Sequence, residues 1–488
     1  MKALVYLIPI LLPIVGGFLI IALKFKDDRA RNIYAETIVC LTSIAVWCVI
    51  LLADGEPVEV YSFTRGFSVD FGMDGLTKLF AGMVSVMWPP VMLYAFSYMR
   101  ESRRKNMFFA FYVMTYGVTL GIAFASNMTT LYVFYEMLSL VTIPLVSHYE
   151  DHESMYAGRV YAAFTIGGAS LAFFSVVMTT VYGNAGNFLY GGNLQPEAAT
   201  SMMLLAFIFG FFGFGTKAAV FPLYYWLPTA SVAPTPVTAL LHAVAVVNAG
   251  VFAVVRMTWY SYGPDFLRGT WAQNLALAAA VFTLVFAAVL AVRERHFKRR
   301  LAFSTVSNLS YMLFGVMLLN VTGLMAGLAH MLFHGIIKIS LFMCAGAFMH
   351  TTGNSYVYEV NGVGRKMPVT FTCFTLGALS LTGVPLFCGF VSKWQLLRAG
   401  AQAGTLLGYL GVAGLLVSAF LCAMYTLTIS ARAFFPVVEK NWYEEDDRKL
   451  EADRLMLIPI VLFSVLNIVF GVVPGPVLDF LGKIAAGL

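Results

Sequence analysis

Seven ionisable side chains stand out within, or at the end of, stretches that otherwise read as membrane spans: Glu136, Lys217, His242, His330, His334, Lys338 and Lys393. A charge within a span costs at least a few kcal/mol on insertion scales, so each is a functional candidate. Glutamate, histidine and lysine can all gain or lose a proton once burial and neighbouring charges tune them. Arginine could not release one, and no arginine stands at these positions. In "AHMLFHGIIKISLF", His330, His334 and Lys338 follow at i, i+4 and i+8, which lines them along one stripe of a helix. Such a stripe reads as one wall of a hydrated proton path. Taken alone, His242 reads more readily as a hydrogen-bonded packing histidine than as a proton carrier, and Lys393 has a competing reading as a snorkelling lysine, as Lys78 does near the start of its span.

The elements that hold these groups are membrane helices. The chain has 488 residues, of which 60% are hydrophobic and 11% charged, and its mean hydropathy is +0.80. Soluble domains carry about 25% charged residues, so a soluble globular chain is excluded. A hydrocarbon core about 30 Å thick needs roughly 20 apolar residues per helix. Fourteen such runs occur: 3–23, 34–53, 73–99, 107–126, 128–149, 157–182, 201–222, 236–259, 272–292, 302–320, 323–350, 368–391, 404–434 and 455–482. The alternating ten-residue pattern of a β-barrel is missing. The first run is too long for a signal peptide and lacks a small-residue cleavage site, so it reads as a retained helix.

Lys and Arg cluster after the odd-numbered runs, as in Lys24–Arg31, Arg100–Lys105, Arg293–Arg300 and Arg432–Arg454. Few lie on the other side, among them Arg65, Arg268 and Arg398. The positive-inside rule then places both termini outside the cytoplasm, in a cell inner membrane. This topology accounts for the net charge of +6 and makes nucleic-acid binding an unnecessary reading. The six cysteines form no CxxC, and there is no Walker loop or dinucleotide fingerprint. No cofactor, metal or redox centre is expected in this chain.

Two spans are interrupted. "FGTKAAVFPLYYWLP" sets Lys217 beside Pro222 and Pro228, and Pro234 and Pro236 follow. "LGALSLTGVPLFCGFVSKWQLL" sets Gly383, Pro385 and Gly389 shortly before Lys393. Proline removes a backbone donor, and freed backbone groups persist at membrane depth only against protein or water. Paired broken helices of this kind point to the ion site of a transporter. Five runs separate the two, so runs 4–8 and 9–13 are expected to be inverted five-helix repeats. The expected division is 1–106 (helices 1–3), 107–260 (first repeat), 261–434 (second repeat) and 435–488 (a cytoplasmic loop and helix 14).

The chain resembles the antiporter-like subunits of respiratory complex I, shared with Mrp-type cation/proton antiporters and membrane-bound hydrogenases. The resemblance is carried by "YEMLSL", "GTKAAVFPLYYWLPTASVAPTPVTALLHA", "KRRLAFSTVSNLSYML", "HMLFHGIIKISLFMCAGA" and "ALSLTGVPLFCGFVSK". It implies an all-α polytopic fold of about 14 transmembrane helices with two inverted five-helix repeats and discontinuous helices 7 and 12. It also implies a Glu136–Lys217 ion pair, a central relay at Lys338 and its histidines, and a terminal residue at Lys393. Asn248 stands where some relatives carry lysine, so His242 is expected to take part of that role. The long lateral helix of the largest complex I member is not expected here, and Lys393 replaces the glutamate of one subclass. The implied function is a proton-translocating subunit of a larger redox-driven complex, without redox chemistry of its own. Its expected partners are other membrane subunits, peripheral redox subunits, lipid and protons. The alternative is a subunit of an Mrp-type Na+(K+)/H+ antiporter.

Overall fold

The computed structural model describes residues 2–64, 67–183, 186–195, 200–241, 243–436 and 450–488. It is an all-α bundle with one small hairpin. Helices α1 (Lys2–Ala22) and α2 (Asp28–Leu52) precede the hairpin, and α3 (Gly75–Tyr98), α4 (Lys105–Phe124), α5 (Met128–Val146) and α6 (His152–Tyr182) follow it. Next come α7 (Thr200–Gly215), the single turn α8 (Trp226–Thr229), α9 (Thr235–Leu241) and α10 (Val246–Val255). The chain from Arg256 to Tyr262 widens into π-helical turns before the short α11 (Pro264–Leu267). Long helices α12 (Trp271–Arg293), α13 (Phe297–Met317) and α14 (Val321–Thr352) lead to the pair α15 (Pro368–Thr382) and α16 (Cys388–Gln402). Helices α17 (Leu406–Phe434), α18 (Arg454–Val472) and α19 (Gly475–Ala485) complete the described chain.

Each apolar run coincides with helix. Eleven helical stretches among the described residues are long and apolar enough to cross a bilayer. The three remaining runs are the interrupted seventh and twelfth and the tenth, α13, whose Ser304, Ser307, Asn308 and Ser310 dilute its apolar character. All four are buried, so α13 is an interior helix whose polar groups face protein. Helix α14 is almost wholly buried as well, whereas α1, α2 and α17 present many bare apolar side chains to lipid or to neighbouring protein.

Ion pairs between loops confirm the alternation of spans. Arg100, after the third run, meets Asp453, after the thirteenth, at 2.8 Å. Lys105 meets Asp28, after the first run, at 2.5 Å. On the opposite face, Lys2 at the N-terminus pairs with Asp54, after the second run, at 2.7 Å. The Tyr190 hydroxyl, after the sixth run, donates to the Ala485 carbonyl near the C-terminus at 2.6 Å. Both described ends therefore share the face opposite the arginine-rich loops.

Four runs are divided, two more than expected. Besides the seventh and twelfth, the eighth is broken between α9 and α10 and the fourteenth between α18 and α19. Proline alone does not mark a break. Pro89 and Pro90 lie inside α3, Pro144 inside α5 and Pro459 inside α18. The breaks in the seventh and twelfth runs carry residues in left-handed backbone, Ala219 (φ 55°), Gly383 (φ 101°) and Leu386 (φ 77°). The hairpin, β1 (Val58–Thr64) with β2 (Phe67–Phe71), was also not expected from an all-α reading.

Candidate functional site

Lys217 follows the last turn of α7. Its amide bonds the Phe214 carbonyl at 3.2 Å, an i−3 contact that tightens the helix end. The carbonyls released there find side-chain donors. The Tyr135 hydroxyl donates to the Phe214 oxygen at 3.0 Å, and the Trp226 indole Nε1 donates to the Thr216 oxygen at 2.7 Å. Lys217 is fully buried, and its ammonium donates to the Tyr135 carbonyl while lying 3.6 Å from the centroid of the Tyr135 ring. Gly250 of α10 closes the pocket, since a Cβ there would stand 2.5 Å from the Ala218 nitrogen.

The expected Glu136–Lys217 contact is not a direct ion pair. None of the ion pairs among the described residues includes either group. Glu136 is half-buried on the flank of α5 and shares a helical face with Leu140, which is exposed. Tyr135, its buried neighbour, turns the other way and supplies the oxygen and the ring that hold the lysine. The carboxylate thus stands one residue removed from the groups that hold Lys217.

The stripe on α14 is fully buried, and α13 supplies its partners. The Lys338 ammonium donates to the Leu301 carbonyl at 3.0 Å and to the Ser304 hydroxyl. The Ser304 carbonyl accepts from Asn308 Nδ2 at 2.7 Å, and Asn308 Oδ1 faces His330 Nε2 at 3.1 Å. Because Nδ2 is the donor towards Ser304, Oδ1 must accept, which assigns the His330 proton to Nε2. His330 Nδ1 then meets the Ser392 hydroxyl at 2.9 Å. Lys338 and His330 are eight residues apart, about 12 Å along the helix axis. Ser304 and Asn308 bridge that gap. The His334 ring lies 5.9 Å from that of His330.

Lys393, beside Ser392 on α16, donates to the carbonyls of Leu381 and, at 3.3 Å, Thr382, where α15 ends. A cation there meets the negative end of the half-helix dipole. It also lies 5.2 Å from the centroid of the Tyr311 ring. The break in the twelfth run therefore provides the acceptors for its own lysine. Lys393 is buried and does not snorkel, which corrects the milder reading of that residue.

His242 lies outside the described residues, between α9 and α10. At that break Asn248 is buried and donates to the Ala243 carbonyl at 2.7 Å. The other candidates separate into Glu136 and Lys217 near the α7 break and a second group, in which hydrogen bonds link Lys338 and His330 through α13 to Ser392, and the Tyr311 ring lies near both His330 and Lys393. Ser304, Asn308, Ser392 and Tyr311 escaped the sequence reading, although Ser304, Asn308 and Tyr311 recur at helical spacing inside an apolar run. A fourth buried lysine, Lys298, donates to the Ala233 carbonyl at 2.7 Å.

A bundle of long apolar helices with buried lysines at broken spans defines a polytopic membrane fold, and comparison with known proteins narrows it. Residues 125–421 match the family described as NADH:quinone oxidoreductase/Mrp antiporter, transmembrane. The chain is 32% identical over 436 residues to the A subunit of the Na(+)/H(+) antiporter of Alkalihalophilus pseudofirmus, covering 84% of this chain and 53% of that one. It is 31% identical over 434 residues to the A1 subunit of the Na(+)/H(+) antiporter of Staphylococcus aureus, with 84% and 53% covered. The chain thus spans about half the length of these curated relatives. Two solved structures share the fold across the whole chain. An archaeal membrane-bound sulfane sulfur reductase gives a TM-score of 0.85 at 23% identity, covering 100% of this chain and 97% of that one. The Mrp complex of a Dietzia species gives 0.84 at 20% identity, with 100% and 97% covered. This protein belongs to the antiporter-like subunit family of complex I-like and Mrp-type membrane complexes.

Proposed function

We propose that the chain is a proton-translocating membrane subunit of a larger complex, with Glu136, Lys217, His242, His330, His334, Lys338 and Lys393 as its relay. One observation carries this reading: the buried lysines are held by carbonyls, hydroxyls and rings, and among the described residues no carboxylate pairs directly with them. A lysine locked in a buried salt bridge strongly resists neutralisation, because its partner would be left charged and alone. One held by neutral oxygens can give up its proton without stranding a charge.

The transfer proposed in the second half runs between Lys338 and Lys393. In the assigned tautomer, His330 Nδ1 accepts from Ser392 while Nε2 donates to Asn308. A proton arriving through the Ser392 hydroxyl therefore enters at Nδ1 and leaves an imidazolium. The Asn308 amide oxygen orients that imidazolium without carrying the proton on, and the cation relaxes when water of the proposed hydrated path takes its proton to a neutral Lys338. Glu136 biases Lys217 through space, so movement of α5 against α7 alters the charge state of the lysine.

Two driving machineries suit such a subunit, a redox-driven complex and an Mrp-type cation/proton antiporter. The identity to the A subunits of Na(+)/H(+) antiporters supports the second. We place the arginine-rich face in the cytoplasm by the positive-inside rule. Co-purification separates the machineries: hydrophobic antiporter subunits alone support the Mrp reading, and redox subunits the other. Reconstitution of the intact complex with Lys217→Ala or Lys393→Ala tests the relay itself. Full assembly with undiminished ion transport would sink it.

A further inference from the structure

On the face opposite the arginine-rich loops lies a polar cavity of about 350 Å³ that none of the relay residues lines. The hairpin, the α4–α5 connection, the loop after α6 and the end of the π-helical turns enclose it, through Glu59, Asp70, Asn127, Asn187, Asn193 and Ser261. No lysine, arginine or histidine contributes to its described lining.

Two features mark this as a built site. First, Asp70, buried, and Glu59, exposed at the rim, are direct cross-strand partners in the antiparallel hairpin. Opposed like charges destabilise a strand pair unless something positive stands near them. Second, Asp70 Oδ1, Asn193 Oδ1 and Ser261 Oγ are buried without a hydrogen-bond partner, on side chains 7%, 7% and 1% exposed. Within the cluster, Asn127 Nδ2 donates to Asp70 Oδ2 at 2.9 Å, which leaves Oδ1 as the free oxygen of that carboxylate, and Asn193 Nδ2 is spent on the Asn187 carbonyl at 2.8 Å. What remains is a carboxylate oxygen, an amide oxygen and a hydroxyl, each able to offer a lone pair. Leaving them buried and unpaired is unfavourable, and a cation bound among them would relieve that cost.

We propose that this cavity binds a hard, oxygen-seeking metal cation, Ca2+ or Na+. Carboxylate, amide and hydroxyl oxygens are the ligands such ions prefer. Clusters of three or more His, Cys, Asp or Glu are not found among the described residues, so a cation here would rest on two carboxylates at most, with amide and hydroxyl oxygens supplying the remaining ligands. The cation would join four separate connections on one face and hold the hairpin against the bundle.

The test is a thermal melt of the detergent-purified complex titrated with CaCl2 or NaCl, with choline chloride matching ionic strength. The expected result is a saturable rise in Tm of a few degrees with one of the metal salts and none with choline. For Ca2+ the half-point should lie at about 10⁻⁴ to 10⁻³ M, as in extracellular calcium modules. Which salt gives the rise identifies the ion. Asp70→Asn should abolish the saturable rise. Ser261→Ala removes a hydroxyl with no partner, so it should leave the cation-free Tm unchanged and weaken the response by roughly tenfold. No saturable rise over choline, or a Ser261→Ala response identical to the native one, would overturn the proposal and leave the cavity to water.

Discussion

Asn308→Leu tests the chain between Lys338 and Lys393 with almost no change of volume. Two buried hydrogen bonds disappear, one to the Ser304 carbonyl at 2.7 Å and one to His330 Nε2 at 3.1 Å. The Ser304 oxygen is also the natural acceptor of the α13 ladder, so its loss is minor. The His330 N–H is the costly orphan, worth about 1–3 kcal/mol when left unpaired in a protein interior. His330 escapes part of that cost by moving its proton to Nδ1 and donating to Ser392. Doing so fills the nitrogen through which a proton would arrive. If the lost stabilisation bears fully on the charged intermediate, transfer slows by about 5- to 150-fold. The assay is acidification of proteoliposomes containing the assembled complex, followed with a trapped pH dye, alongside a native gel for assembly. Normal assembly with transport at the native rate would refute the bridging role of Asn308.

Three further outcomes are expected. Gly250→Val forces side-chain carbon against Lys217 and Ala218, 2.9 Å and 2.5 Å from the built Cβ position, so stability falls by about 1–3 kcal/mol and transport falls with it. Paired melts and flux measurements check this. Asp74→Ala strands the Arg256 guanidinium, 2% exposed and paired at 2.5 and 2.8 Å, at a cost of about 3–5 kcal/mol, read as a large drop in Tm. His296 caps α13 through Nδ1, and burial, with Lys298 adding to it, pushes its pKa from 6.5 down to about 4. The unfolded chain therefore takes up this proton first, and stability falls as pH drops from about 6.5 towards about 4. His296→Asn should flatten that slope in melts run across the window.

The spans, their alternation and the two lysine-bearing breaks were legible because charges and long apolar runs leave strong marks in a sequence. Ser304, Asn308 and Ser392 were not, since a neutral hydroxyl or amide inside a helix bonds its own backbone at little cost and resembles ordinary packing. The Glu136–Lys217 pair was misjudged at the level of distance. Spacing along two helices says nothing of the half-turn that points Tyr135, and not Glu136, at the lysine. The breaks in the eighth and fourteenth runs were missed for a related reason. Proline occurs inside intact α3, α5 and α18, so it is the backbone carbonyls' alternative partners that decide whether a helix opens. Those partners, such as the Trp226 indole, come from elsewhere in the chain.

The central claim is that the buried lysines release their protons, and Lys338→Arg tests it most directly. Arginine keeps the charge and can still donate to the Leu301 carbonyl and the Ser304 hydroxyl, but it does not deprotonate. Proton flux in proteoliposomes of the assembled variant complex is the measurement. The account predicts normal assembly with flux reduced to background. Native flux through the arginine variant would contradict it.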